Sequence, residues 1–188
     1  MAKTLFRYIG ASNHVEEARE WDDYYATPPE ATEKLLQVET FSNNIWECAA
    51  GELHISNVLT KHGYNVRSSD VIQRREPVEV LDFLTTNYRD LDLDIITNPP
   101  FKFATEFICR SIEAVGEGHK VAMLLKITFL ESKARKNLFE KYPFKYLYVL
   151  SERISCGTNG IFGEKSVIAY GWYIWEKGYQ GESIIRWI

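Results

Sequence analysis

Residues 94–103 read DIITNPPFKF, an apolar run closed by an asparagine, two prolines and a phenylalanine. Each proline fixes its φ at about −65° and lacks an N–H, and Asn98, which precedes a proline, is biased toward extended geometry. The product is a stiff corner rich in acceptors and poor in donors. The Asn98 side-chain carbonyl and the Pro99 backbone carbonyl can both aim at one N–H₂ group, which draws the nitrogen lone pair out of conjugation with an aromatic ring. Pro100 keeps the corner rigid, and Phe101 offers a flat face to a planar base, a contact worth ~1–3 kcal/mol. An amine held this way can attack a methyl sulfonium in line. The nucleophile is neutral, so the attack itself needs no general base of unusual pKa.

Such a corner has to be carried by strands and helices. TPPEATEKLLQVE reads as a helix with Thr27 at the N-cap and Pro28 and Pro29 in the first turn. NIWECAAGELHISNVLTKHGYNVRSSD gives a strand, a turn at Gly51, a helix ending near Gly63 and a second strand through Val66 to Asp70, a βαβ unit. LDLDIITN is a strand, FKFATEFICRSIEAVG an amphipathic helix, KVAMLLKITF an apolar strand, SKARKNLFEKY a helix and KYLYVL a strand. KSVIAYGWYIWEK closes the series as a long strand whose alternating aromatics read as core. Alternation of this kind predicts an α/β fold of Rossmann-like type, a mainly parallel sheet with helices on both faces. Tyr146–Leu150 and Ser166–Trp175 are separated by a loop alone and are expected to form an antiparallel C-terminal pair.

Ligands of open α/β sheets bind outside the carboxyl ends of the strands. Three segments fall there: ECAAGE, the stretch ending at Asp70, and NPPF. Glu47 ends the first strand, and Ala49, Ala50 and Gly51 are small enough for backbone to approach a ligand closely. A pyrophosphate fingerprint would need three glycines, and Leu53 and Ser56 occupy the other two positions, so a smaller cofactor is expected. Asp70, at the end of the next strand, can accept both hydroxyl hydrogens of a ribose.

The totals agree with one soluble enzyme-sized domain. The chain has 188 residues, 45% hydrophobic and 26% charged, with a net charge of −4, values typical of a single globular unit. Residues 1–21 read as a polar N-terminal arm and residues 22–188 as one domain without a separate target-recognition region. Cys48, Cys109 and Cys156 are odd in number and widely spaced, and the four histidines show no ligand spacing, so neither a disulfide framework nor a metal site is expected. No apolar run approaches ~18 residues, and the start, MAKTLFRYIG, has no secretory pattern. A cytoplasmic location without a membrane partner is the expectation. The basic stretch from Lys120 to Lys145 carries seven Lys or Arg against Glu131 and Glu140; Lys126, Lys133, Arg135 and Lys136 within it are either candidate nucleic-acid contacts or part of a solvated helix face. The glycine-containing loop SERISCGTNGIFGEKS follows a strand end and is either a closing loop or plain surface.

NPPF after an apolar strand resembles the catalytic motif of S-adenosylmethionine-dependent, amino-methylating DNA methyltransferases, above all the small, phage-type adenine-N6 enzymes. YYATPP resembles their N-terminal cofactor motif, ECAAGE their glycine motif, Asp70 their ribose-binding acid, and LDFL their segment beside the cofactor's adenine. The likeness spans residues 22 to 175. It implies that Asn98 and Pro99 bind the target amine of a flipped adenine, that Phe101 stacks on the base, and that Phe103 packs behind it. It also implies that Tyr25, Thr27, Glu47, Ala49, Gly51, Asp70, Asp82 and Phe83 surround S-adenosylmethionine. Leu53 departs from the pattern, standing where the family has its second glycine. With no room for a recognition region, specificity would come from a partner protein or from homo-oligomerisation. The same turn chemistry also suits RNA amines or a protein glutamine, and a methyltransferase-like binding module without turnover is the remaining alternative.

Overall fold

The computed structural model describes residues 25–154, 156–158 and 168–188. The chain order is β1 (Tyr25–Ala26), α1 (Pro29–Val38), β2 (Asn44–Glu47), α2 (His54–Lys61), β3 (Asn65–Asp70), β4 (Glu79–Val80), β5 (Asp94–Thr97), α3 (Ala104–Ala114), β6 (Lys120–Lys126), α4 (Lys133–Lys141), β7 (Tyr146–Val149), β8 (Gly157–Thr158), β9 (Tyr170–Glu176) and β10 (Ile184–Trp187). Eight of these strands form one sheet in the order β10-β7-β9-β6-β5-β2-β3-β4. All neighbours are parallel except at β9, which runs antiparallel to both β6 and β7. The expected antiparallel pair therefore forms, with β9 inserted between β6 and β7.

The sheet separates two buried clusters. Successive side chains on a strand point to opposite faces, so Ile95, Met123, Tyr173 and Trp175 meet Phe107, Ile108 and Ile112 of α3 and Leu138 of α4. Ile96, Leu124, Trp172 and Ile174 meet Ala31 and Leu35 of α1 and Ile55 and Leu59 of α2. Helices cover both faces, as expected. The aromatics of β9 are core: Trp172, Tyr173, Ile174 and Trp175 are all buried. Their polar atoms are satisfied, since the indole N–H of Trp172 donates to the Ala31 carbonyl at 2.8 Å and that of Trp175 to the Tyr142 carbonyl at 3.0 Å, the usual condition for burying a tryptophan.

Several boundaries differ from the sequence reading. Thr27 does not cap α1: Pro28 occupies that position in extended geometry, without a side-chain cap bond, because a residue ahead of a proline is driven out of the helical region. The strand ending in KITF stops at Lys126, and Ile127–Leu130 form a 3-10 turn. Phe101–Phe103 likewise form a 3-10 turn ahead of α3. Four strands, β1, β4, β8 and β10, have no counterpart in the reading. β10 pairs parallel to β7 at the sheet edge, and β1 pairs antiparallel to β8, joining the segment before α1 to the loop after β7. The arm at 1–21 and most of that loop lie outside the described residues. Among the described residues no helix is long and apolar enough to cross a membrane, and no group of three or more His, Cys, Asp or Glu could hold a metal ion.

Gly171 sits in β9 between two strands, and a Cβ there would lie 2.9 Å from the Tyr148 carbonyl oxygen and 2.8 Å from a Leu147 methyl. Backbone cannot move aside as a flexible side chain can. Gly171→Ala is expected to destabilise the domain by about 1–3 kcal/mol, read as a lower urea midpoint at unchanged slope; an unshifted midpoint would contradict this packing.

Candidate functional site

A cavity of about 350 Å³ opens at the carboxyl ends of β2, β3 and β5, within the range of small-molecule sites. Its wall includes Tyr25, Thr27, Glu47, Ala49, Asp70, Asp82, Phe83, Asn98 and Pro100. Nine of the residues singled out in the sequence thus converge on one space. Gly51 does not line it but supports it: in left-handed backbone, φ 51°, it donates its N–H to the Asp70 carboxylate at 2.8 Å. The other Asp70 oxygen accepts from Ile72 N–H at 3.1 Å. Two N–H groups hold this carboxylate in place, and lone pairs remain for hydroxyl donors. Asp82 accepts from Leu84 N–H at 3.0 Å and so starts the turn that buries Phe83 edge-on against Trp46.

Leu53 also adopts left-handed backbone, φ 68°, a conformation that costs a leucine ~1–2 kcal/mol. Its side chain does not enter the cavity; it is buried with Ala50 and Val78. The departure from glycine is compensated by apolar burial and leaves the cavity clear.

The Asn98 amide is held by its nitrogen, which donates to the Tyr25 carbonyl at 2.8 Å and to the Thr27 hydroxyl at 3.0 Å. A carbonyl can only accept, so this contact fixes which end of the amide is nitrogen. The other end, Oδ1, is buried and has no hydrogen-bond partner. A buried acceptor left unmade costs ~1–3 kcal/mol, which marks a place where a donor belongs. The next acceptor along the turn is partly used, since the Pro100 carbonyl accepts from Phe103 N–H at 2.9 Å.

Beyond the turn lies a second groove of about 310 Å³, lined by Phe101, Leu125, Lys126, Thr128, Phe129, Glu131, Ser132 and Arg135. The turn is therefore a partition, with Asn98, Pro100, Lys102 and Phe103 facing one side and Phe101 the other. Pro99 is buried inside it. The ring of Phe101 is not bare: Tyr25 stacks on it at 5.1 Å, and the Lys126 ammonium lies 4.6 Å from its centre. Of the four basic residues singled out, Lys126 and Arg135 meet in this groove. Lys133 and Lys136 do not; Lys136 is exposed and pairs with Glu140 one helical turn on.

Sequence reasoning passed over Cys48, His54, Ile72, Arg74, Lys102 and Phe107, which also line the first cavity. Adjacency was the available signal, because Ile72 follows Asp70 and Lys102 follows Phe101. Val71 and Ile72 are exposed apolar residues at the cavity mouth, a pattern that suits a flat apolar ligand.

Glu47 is fully enclosed, and its carboxyl accepts from the Ser56 backbone N–H at 2.8 Å and from the Ser56 hydroxyl. Burial outweighs these bonds and pushes its pKa from 4.5 to about 8, with nearby Asp70 adding to the rise.

No protein-family model matches this chain, and no curated protein matches it significantly in sequence. Solved structures do match in fold. A candidate RNA methyltransferase from Pyrococcus horikoshii superposes with a TM-score of 0.60 at 16% identity, over 94% of this chain and 99% of that one. The 23S rRNA methyltransferase ErmE gives 0.59 at 12% identity, covering 85% and 71%. A type I restriction-modification methyltransferase subunit from Streptococcus thermophilus gives 0.59 at 12% identity, covering 90% of this chain and 48% of that one. The fold is thus the Rossmann-like fold of these methyltransferases.

The Glu47 shift fixes a pH dependence. Below pH 4.5 the carboxyl is protonated both folded and unfolded. Between 4.5 and about 8 the unfolded chain gives up the proton while the folded one keeps it, so stability falls as pH rises, by roughly 1 kcal/mol per unit. Glu47→Gln is expected to flatten this slope between pH 5 and 8 in urea titrations of the free protein; parallel wild-type and variant curves would rule the assignment out.

Proposed function

We propose that this chain is an S-adenosylmethionine-dependent methyltransferase acting on the exocyclic N6 amine of adenine in DNA. The observation that carries the reading is the buried, unpartnered Asn98 Oδ1 in the partition between a cofactor-sized cavity and a second groove. In this reading the oxygen accepts one amine hydrogen and the Pro99 carbonyl the other, and the lone pair is left directed across the partition. Prolines at 99 and 100 have no N–H to compete for that lone pair. S-adenosylmethionine, when bound, would supply a sulfonium methyl to the amine nitrogen, the carbon–sulfur bond breaking to leave a thioether and the surplus amine proton passing to solvent. Neither a metal nor a charged nucleophile is required.

The cavity fits that cofactor in several respects. Asp70 would accept the ribose hydroxyls, Phe83 and Ile72 would enclose the adenine with Asp82 at its edge, and Tyr25, Thr27, Glu47, Ala49 and Gly51 would frame the remainder. Leu53, turned toward Val78, leaves space for it. Lys126 and Arg135 would meet the nucleic acid beside Phe101. The likeness to a restriction-modification methyltransferase subunit favours DNA and a partner that supplies sequence specificity, since the described residues contain no region beyond the eight-stranded sheet, the small β1–β8 pair and the helices. A second reading replaces DNA by an RNA amine and rests on the likeness to ErmE, a 23S rRNA methyltransferase.

Transfer of labelled methyl to DNA, ribosomal RNA and protein offered side by side tests both readings. DNA is expected to be labelled at adenine N6. Asn98→Ala should lower the transfer rate at least ~100-fold, a loss comparable to removing one preorganised polar group at a reacting centre, while cofactor affinity changes only a few-fold. Full transfer by that variant would remove the mechanism.

A further inference from the structure

We propose that the groove on the Phe101 side of the turn takes a single, unpaired DNA strand, with the base next to the target lying on the Arg135–Phe129 stack and adjoining phosphates on Lys126 and Arg135. The inference rests on the function proposed above and names the form of its substrate. Three observations carry it.

The first is a preformed shelf. The Arg135 guanidinium lies 3.8 Å from the centre of the Phe129 ring, and Phe129 is anchored edge-on against Phe139 and Tyr173, both at 6.1 Å. The arginine stands at the first turn of α4, where Ser132 accepts its backbone N–H at 3.3 Å. A planar cation on a core-anchored ring is a surface on which an unstacked base can lie, whatever its sequence. Bases inside a duplex have no free face to offer it.

Second, the groove is small and weakly charged. Its volume is about 310 Å³, and Lys126 and Arg135 are opposed by Glu131, an excess of one positive charge. This suits one or two phosphates.

The third observation is the state of the cations elsewhere. Proteins that grip a duplex neutralise ~6–10 phosphates. Here Arg67, Arg89, Lys120, Lys136, Lys145 and Lys177 each close on a carboxylate of this chain, within 2.6–3.3 Å, and the net charge is −4. A single strand also spares the enzyme the few kcal/mol of extruding a paired base.

Anisotropy of a short labelled DNA oligonucleotide, without cofactor, tests the proposal. The single strand is expected to bind at least ~10-fold more tightly than the same sequence as a duplex, with a log–log salt slope of about −0.7 to −1.4, as one or two phosphates require. Arg135→Ala and Phe129→Leu should each weaken single-strand binding about 10-fold, with thermal melting of the arginine variant and its S-adenosylmethionine affinity unchanged. Duplex binding as tight as single-strand binding would overturn the proposal, as would an Arg135→Ala protein that binds normally, or tenfold tighter binding of RNA of the same sequence. A cofactor titration run in parallel separates the two readings. Strand binding without cofactor binding leaves the groove standing and removes the methyltransferase assignment; cofactor binding without strand binding does the reverse.

Discussion

One contact holds the candidate site together: the Asn98 amide nitrogen donating to the Tyr25 carbonyl and the Thr27 hydroxyl. It joins residues more than seventy positions apart. On one side is the turn after β5, stiffened by two prolines; on the other is the short segment ahead of α1. That segment is a wall of the cavity, its Tyr25 stacks on Phe101, and its two strand residues pair with Gly157 and Thr158. Without this bond the amide loses its orientation and the wall loses one of its ties, while the Phe101 stack and the β1–β8 pairing remain. A typical hydrogen bond adds only ~0.5–1.5 kcal/mol net, so the pair contributes little to folding and much to geometry.

The sheet explains why these pieces meet. Parallel strands connected by crossover helices bring all their carboxyl ends to one edge. β2 delivers Glu47 and the alanine–glycine turn, β3 delivers Asp70, and β5 delivers Asn98, with β2 lying between the other two and paired to both. On the far side of β5, β6 delivers Lys126, and the 3-10 turn after it delivers Phe129. The partition formed by residues 98–103 stands at the boundary between these two groups. Residues of the cavity and residues of the second groove are thus sorted by strand order.

Much of this was legible in the sequence because the signals were local and periodic. The strands from β2 to β9 that run through the core are short apolar runs, and the helices between them repeat apolar residues at helical spacing, as Ala104, Phe107, Ile108 and Ile112 do in α3. The pairs β1–β8 and β7–β10 were not legible for physical reasons. Two residues have no period, and β10 is exposed on every residue, so no alternation betrays it. The site divides the same way. Asn98, Asp70 and Gly51 announce themselves through turn chemistry and strand ends, whereas Arg74, His54 and Lys102 arrive at the cavity from a loop, a helix start and a 3-10 turn that share no spacing. The left-handed backbone at Leu53 was equally hidden, because its compensation is a contact with Val78 twenty-five residues away.

A donor-poor corner has a further consequence for the chemistry it can support. An amine becomes a better nucleophile when its hydrogens are bonded and its lone pair is not, so a site that activates one must present acceptors without donors. Asn98 meets this condition because its two N–H hydrogens are already given to Tyr25 and Thr27, and only the oxygen remains. Pro99 and Pro100 meet it by lacking N–H altogether. An asparagine without those two partners could rotate and offer its own N–H to the lone pair, quenching the nucleophile it should activate. Under the proposed function the segment at residues 25–27 would serve the acceptor chemistry as well as wall the cavity, because its two bonds decide which end of the Asn98 amide is left open.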